Sequence, residues 1–290
     1  MNHSSYPKIG LALGSGGAKG LAHIGVIKML EKNKIPIDYI AGSSIGAVIG
    51  AHYATFKDIK KLEDLVVSLT LRKGFQLFDP TIRGGFIKGK KFEFFLKEIL
   101  ERADFKNLRI PFAAVATDFH TAKPVIFTNG DLVKAIHASI SVPTIFQPVF
   151  YKDKHLADGG LSNSVPVDIV RKMGADIVLA VNLDTVSIEN GKLLALTKLP
   201  MHSINILRHN LAIQSTKTAD VIIAPKGIYQ IGLIGWNYFF DTEKTKQVIH
   251  AGEKATEEVI PEIENLIKEI NKAKQSRWKN FFSFFKKFTP

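Results

Sequence analysis

The sequence predicts a three-layer α/β/α sandwich on a mostly parallel central sheet, and three observations carry that expectation. Short apolar runs alternate with segments of helical character along most of the chain, the pattern of parallel strands covered on both faces. Glycine-rich turns stand where an apolar run gives way to a helix, at residues 14–20 and 42–46. No internal repeat and no Pro- or Ser-rich linker divides the chain, so one domain is expected over residues 1–270, followed by a basic aromatic tail over 271–290.

Taken in order, residues 9–13 (IGLAL) read as a first strand, leading into the turn 14–20. Residues 21–33 read as a helix with Leu21, Ile24, Val26, Ile27 and Leu30 on its apolar face. The run 35–41 is a second strand, and 47–54 a small-residue helix. Residues 62–71 and 90–102 form an amphipathic helical pair joined by the loop 72–89. Further buried strands are expected at 110–117, 177–183 and 221–224, and helices at 131–139 and 165–173. Residues 242–270 read as helix interrupted near Pro261.

At 290 residues, with 46% hydrophobic and 23% charged residues, the chain has material for a large core. It has no cysteine, which excludes disulfides, thiolate nucleophiles and cysteine-ligated metals. The N-terminal residues lack a secretory pattern, and no apolar run approaches the roughly 18 residues of a spanning helix. A cytoplasmic protein, peripheral on the inner face of the membrane, is the expectation. The net charge of +12 is uneven, because Lys272, Lys274, Arg277, Lys279, Lys286 and Lys287 crowd the last twenty residues without an acid. That asymmetry points the tail toward an acidic surface.

Gly42-Ser43-Ser44-Ile45-Gly46 has the form and context of a nucleophile elbow, a serine on a sharp turn between strand and helix. Gly42 and Gly46 leave no Cβ to crowd Ser44, which is placed at a helix N-terminus where developing negative charge is favoured. The turn Gly14-Ser15-Gly16-Gly17-Ala18-Lys19-Gly20 admits three readings. A phosphate loop wants Lys followed by Ser or Thr, but Lys19 is followed by Gly20. A dinucleotide fingerprint started at Gly14 fails at Lys19. An oxyanion hole, two amides aimed at one oxygen beside a nucleophile, fits best with the elbow on the next strand. Asp158-Gly159-Gly160 ends the run 150–157. In isolation it reads first as an ordinary Asp-Gly hairpin turn; if Asp158 approaches Ser44, it reads as the general base of a Ser–Asp dyad.

These three motifs in this order resemble the patatin-like phospholipases, especially the stand-alone bacterial members. Ala116-Thr117-Asp118, residues 135–148 (AIHASISVPTIFQP) and Asn163-Ser164-Val165-Pro166 agree, and the likeness runs over about residues 8–225. The resemblance implies a patatin-like fold, Ser44 as nucleophile and Asp158 as its only catalytic partner. It implies Gly16 and Gly17 as oxyanion donors, with Gly14, Lys19, Gly20, Gly159 and Gly160 as supporting motif residues. Ser15 stands where many members have glycine, which leaves the Gly16 and Gly17 amides in place.

A Ser–Asp–His triad would need a histidine after Asp158, and His202, His209 and His250 stand in helical text without a motif around them. His23 and His52, on the helices after the two glycine motifs, read as packing or surface residues, and Asp118 and Asp168 as structural. No His/Asp/Glu spacing suits a metal, so neither metal nor cofactor is expected. In the tail, a helical projection gathers Trp278, Phe281, Phe282, Phe285 and Phe288 on one side and Lys279, Ser283, Lys286 and Lys287 on the other. Residues 277–288 thus read as an interfacial helix on an anionic membrane, or as a helix packed on the domain. Nucleic acid fits less well, because five Phe in residues 281–288 exceed what stacking needs.

The expected function is hydrolysis of acyl esters of phospholipids or lysophospholipids through an acyl-enzyme. The alternative is a membrane-recruited regulatory or acyl-lipid-binding protein with little turnover.

Overall fold

The computed structural model describes residues 6–69, 79–81, 84–101, 103–184, 199–228 and 239–286; of 200, 201 and 275–286 it describes the backbone alone. Among these the strands are β1 (Ile9–Leu13), β2 (Tyr39–Ser43), β3 (Phe112–Asp118), β4 (Pro124–Phe127), β5 (Val149–Tyr151), β6 (Lys154–Asp158), β7 (Ile177–Val181) and β8 (Val221–Ile223). They form one sheet in the order β5-β6-β3-β2-β1-β7-β8, with β4 also on β3. The five strands β1, β2, β3, β7 and β8 are parallel, and β4, β5 and β6 pair antiparallel.

The two-residue period of each strand sorts its side chains between two cores. Ile9, Leu11 and Leu13 of β1, with Ile177, Leu179 and Val181 of β7, enter the larger core. Ala12, Val178 and Ala180 enter the smaller one. The larger core is closed by α1 (Ala22–Lys32), α2 (Ile45–Phe56), α3 (Ile59–Val67), α4 (Lys90–Ile99) and α5 (Leu132–Ser139). The smaller is closed by α6 (Val167–Lys172) and by Ala212 of α7 (Leu199–Thr216). Two further helices, α8 (Thr242–Glu257) and α9 (Ile260–Lys286), pack on the larger core, α8 chiefly against α1. The expected sandwich is therefore present. Truncating a fully buried residue such as Leu11 to Ala removes about 2–5 kcal/mol.

Three local differences from the sequence reading have physical causes. The second strand begins at Tyr39 rather than 35, because the Ile35 amide donates to the Leu30 carbonyl (2.9 Å) to close α1, and Pro36 has no amide to give a ladder. The run 150–157 is split into β5 and β6 by a tight turn at Lys152 and Asp153, both with positive φ (49° and 60°). The interruption near Pro261 falls just before it, and α9 begins at Ile260 with Pro261 in the first turn, where its missing N–H is not needed. From there α9 runs without a break to Lys286, and Lys274 holds Asp176 of the body at 2.7 Å. The aromatic side chains of 277–286 and all of residues 287–290 lie outside the described residues. Among those described, no helix is long and apolar enough to cross a membrane.

The carboxyl end of β3 organises the site. Ser43 of β2 pairs with Val115 and Asp158 of β6 pairs with Ala116, while β4 occupies the opposite edge. β6 therefore continues the edge that β2 leaves.

Candidate active site

Ser44 follows β2 with φ 55° and ψ −126°, a conformation that non-glycine residues avoid and that nucleophile elbows impose. Its carbonyl accepts the Ala47 amide (2.8 Å) to start α2, but its side chain does not cap the helix. The Oγ is turned instead to Asp158 and donates to Oδ2 at 2.5 Å. The Ser44 amide donates to Ser139 Oγ (2.9 Å), which donates in turn to the Val115 carbonyl (2.5 Å). Ser139, on α5, thus ties the strained turn to β3. It lies in the 135–148 stretch, yet nothing in the residue type or spacing singled it out.

Asp158 is 3% exposed and held on every side. Its amide donates to the Ser141 carbonyl (2.9 Å), its carbonyl accepts from Thr117 Oγ1 (2.7 Å), and Oδ1 accepts the Gly160 amide (2.7 Å). Gly159 must be glycine, because a Cβ there would stand 2.1 Å from the Val115 carbonyl oxygen. Burial pushes the Asp158 carboxyl above its ordinary range, against the Arg208 charge and the bonds from Ser44 and Gly160. A buried carboxylate of raised basicity in contact with a serine hydroxyl is the arrangement general-base activation needs.

The glycine-rich turn lies against the elbow. A Cβ on Gly46 would stand 2.2 Å from the Leu13 oxygen and 2.8 Å from that of Gly14. Gly14 donates to the Val181 carbonyl (3.1 Å) and Ser15 to the Ser164 carbonyl (2.9 Å), and a 3-10 turn follows at Gly17–Leu21. Gly17 and Ser44 both line an apolar cavity of about 130 Å³, whose walls include Val48, Leu65, Phe92, Phe95, Phe146 and Phe240. Apart from Ser44, every lining side chain among the described residues is apolar. Lys19 Nζ reaches the Leu183 carbonyl at 3.4 Å, and burial lowers its pKa.

The histidines lie elsewhere. His23 is fully buried with Nε2 at 2.8 Å from the Gly14 carbonyl, and burial holds it neutral, its pKa lowered to about 4. His52 is buried beside Phe56, likewise lowered to about 4. His209 Nδ1 meets the Asp184 carbonyl (2.5 Å), and His250 pairs with Glu253. Asp118 accepts the His120 and Thr121 amides and pairs with Lys154, while Asp168 bonds Asn163 and Lys172. Sequence reasoning missed Ser139 and the pair Arg208–Asp184, which carry no motif.

The sequence model described as patatin-like phospholipase matches residues 11–171. An uncharacterized NTE family protein of Mycobacterium tuberculosis is 40% identical over 182 residues, 62% of this chain and 50% of that protein. The lysophospholipase nte1 of Aspergillus fumigatus is 30% identical over 184 residues, 61% of this chain and 12% of that protein. The chain therefore spans about half the length of its mycobacterial relative and a small part of the fungal one. In three dimensions it is similar to VipD from Legionella pneumophila, with a TM-score of 0.62 at 13% identity over 89% of this chain and 67% of that one, a likeness of fold. With its fold, its ordered motifs and a family match over more than half its length, this chain belongs to the patatin-like phospholipase family.

Proposed function

We propose that the chain is a serine hydrolase of acyl esters in phospholipids or lysophospholipids, acting through a Ser44–Asp158 dyad. The observation that carries this reading is the 2.5 Å contact from Ser44 Oγ to a buried Asp158, with Ser44 in the wall of an apolar cavity. Ser44 Oγ attacks the ester carbonyl while Asp158 Oδ2 takes its proton, and the carbonyl π pair moves onto oxygen. The Gly16 and Gly17 amides receive that oxyanion, stabilisation worth about 10²–10³ in rate for each donor. Collapse expels the alcohol, which leaves with the proton held by Asp158, and the acyl group stays on Ser44. A water activated by the same carboxylate then releases the fatty acid. The cavity supports an acyl chain as the bound part, because its walls among the described residues are apolar beside Ser44.

Residues 1–270 are the proposed hydrolase domain and 271–290 the proposed contact to an anionic membrane, which makes the protein peripheral. The Lys274–Asp176 bond supports a firm base for that segment.

The test is incubation of the pure protein with a mixed natural lipid extract and mass analysis of the products, with Ser44→Ala alongside. Fatty acid release that Ser44→Ala lacks is the expected result. Lipid recovered intact but protein-bound would instead favour the acyl-lipid-binding alternative.

A further inference from the structure

A second group of polar side chains meets behind the glycine-rich turn and takes no part in the chemistry above. Arg208 on α7 donates from one Nη2 to Asp184 Oδ1 (2.6 Å) and to Ser15 Oγ (2.9 Å). Ser15 Oγ lies 2.6 Å from Ser164 Oγ and 3.2 Å from Asp184 Oδ2, and Ser164 Oγ also donates to Asp184. Four separate segments converge here: the turn after β1, the stretch between Asp158 and α6, the end of β7, and α7. Ser15 and Ser164 are buried, and the ion pair is nearly so, at 16% and 8% side-chain exposure. Arg208 Nε finds no partner among the described residues.

An ion pair taken this far from water is an inefficient source of stability, since desolvation offsets most of its attraction and apolar residues of similar size would serve as well. Its distinctive property is geometric. The two N–H groups of one guanidinium nitrogen, fixed in direction by the planar group, set the Ser15 hydroxyl and the Asp184 carboxylate at fixed positions, and a Cβ on Gly160 would stand 2.8 Å from that same Ser15 oxygen. Gly160 in turn donates to Asp158. The network therefore touches the oxyanion turn on one side and the segment carrying the base on the other.

We propose that Arg208 is a positioning residue for the reaction, locking the glycine-rich turn against the Asp158-Gly159-Gly160 segment through Asp184, Ser15 and Ser164. This rests on the dyad reading of the site. It has an electrostatic consequence as well. Arg208 from α7 and Asp184 from the end of β7 both act on Asp158. The turn after α5 offers the Asp158 amide the Ser141 carbonyl, and the buried Lys19 feels the charges of Asp184 and Arg208. Burial raises the Asp158 pKa, and the Arg208 charge is the largest opposing influence. Loss of that charge moves the ionisation of the base upward.

Two measurements test this on the full chain, with Arg208→Gln, Arg208→Lys and Ser15→Ala. The first is the pH dependence of kcat and KM on a soluble aryl ester. Arg208→Gln is expected to lower kcat by about 10- to 100-fold with KM little changed, the scale of a misplaced reacting group, and to shift the acid limb to higher pH. Arg208→Lys should return the acid limb toward the wild-type position without restoring all of kcat, because an ammonium lacks the fixed planar N–H directions of the guanidinium. The second is hydrogen exchange of the peptide covering residues 14–20, expected to quicken in Arg208→Gln and in Ser15→Ala. A lost kcat with an unmoved acid limb and unchanged exchange would overturn the proposal, as would a change confined to KM. If the wild type shows no esterase activity beyond Ser44→Ala, the dyad reading fails, and exchange still decides whether Arg208 holds the turn. If Arg208→Gln does not fold, Arg208→Lys and Ser15→Ala carry both measurements.

Discussion

Asp158 stands one rung beyond Ser43 along the same edge of β3, and this adjacency brings a carboxylate 114 positions downstream onto the serine that follows β2. Ser43 is the last residue of β2 and pairs with Val115, and Asp158 is the last residue of β6 and pairs with Ala116. The two strands run in opposite directions and meet nearly end to end. Each backbone is pinned within two residues of the contact, by Ser139 on one side and by Thr117 and Ser141 on the other. The Ser44–Asp158 contact is thus pre-organised by the ladder of β3 and does not depend on side-chain rotamers alone.

A buried base of raised pKa should leave a signature in the pH profile. The acid limb of kcat/KM is expected above the ordinary aspartate value of about 4, because activity needs the carboxylate and is lost as pH falls through the raised value. The sign for stability is opposite. A native carboxyl that holds its proton more tightly than the unfolded chain loses stability as pH rises through its window. Asp158→Asn should accordingly unfold at neutral pH no earlier than wild type while losing activity. Thermal unfolding and steady-state kinetics on the same samples check both.

The glycine-rich turn should act on the transition state. Gly16 has φ 168°, far from the −65° that proline requires, so proline would displace the turn as well as delete an amide. A backbone ester at Gly17, made with glycolic acid in place of glycine, removes the N–H with little change of shape. It is expected to lower kcat about 10²-fold or more with KM changed little. A rise in KM at constant kcat would mark the turn as a substrate cradle.

His23 makes acid a structural stress. Its pKa is ordinarily 6.5 and falls to about 4 in the fold, so the native state binds fewer protons than the unfolded chain. Stability is present in full above 6.5 and is lost as pH falls toward 4, by roughly 3 kcal/mol for a fully buried ring. Denaturant midpoints measured from pH 7 to pH 4 should show the loss, and His23→Gln should flatten it.

Much of this site was legible in the chain. The order of the three glycine motifs marked Ser44, Asp158 and the turn at 14–20 because each needs glycine for close backbone approach, and glycine is visible in sequence. The alternation of apolar runs and helices gave the sandwich, since β1 and β7 keep one face for each core. The antiparallel return of β6 was not legible, because the run 150–157 carries no glycine at its tight turn and takes positive φ at Lys152 and Asp153 instead. Ser139, Asp184 and Arg208 stayed hidden for another reason. Each acts through one side-chain contact made across the fold, and a lone Ser, Asp or Arg leaves no period or motif to read.

The tail gives a prediction of its own. Truncation after Asn271 is expected to leave soluble-ester hydrolysis unchanged while weakening flotation with anionic liposomes, and intact-protein binding should fall as salt rises. Lys274 bonds Asp176, so a small loss in melting temperature is expected from that contact. A joint fall in melting temperature and soluble-ester activity, with liposome binding unchanged, would make the segment a packing helix.

The dyad itself is tested most directly by intact-mass and peptide analysis after exposure to a fluorophosphonate, on wild type, Ser44→Ala and Asp158→Asn. One adduct is expected on wild type, mapped to Ser44, with none on Ser44→Ala and labelling slowed about 10²-fold or more in Asp158→Asn. Asp158→Asn labelled at the wild-type rate, or an adduct that persists in Ser44→Ala, would contradict a Ser44 nucleophile activated by Asp158.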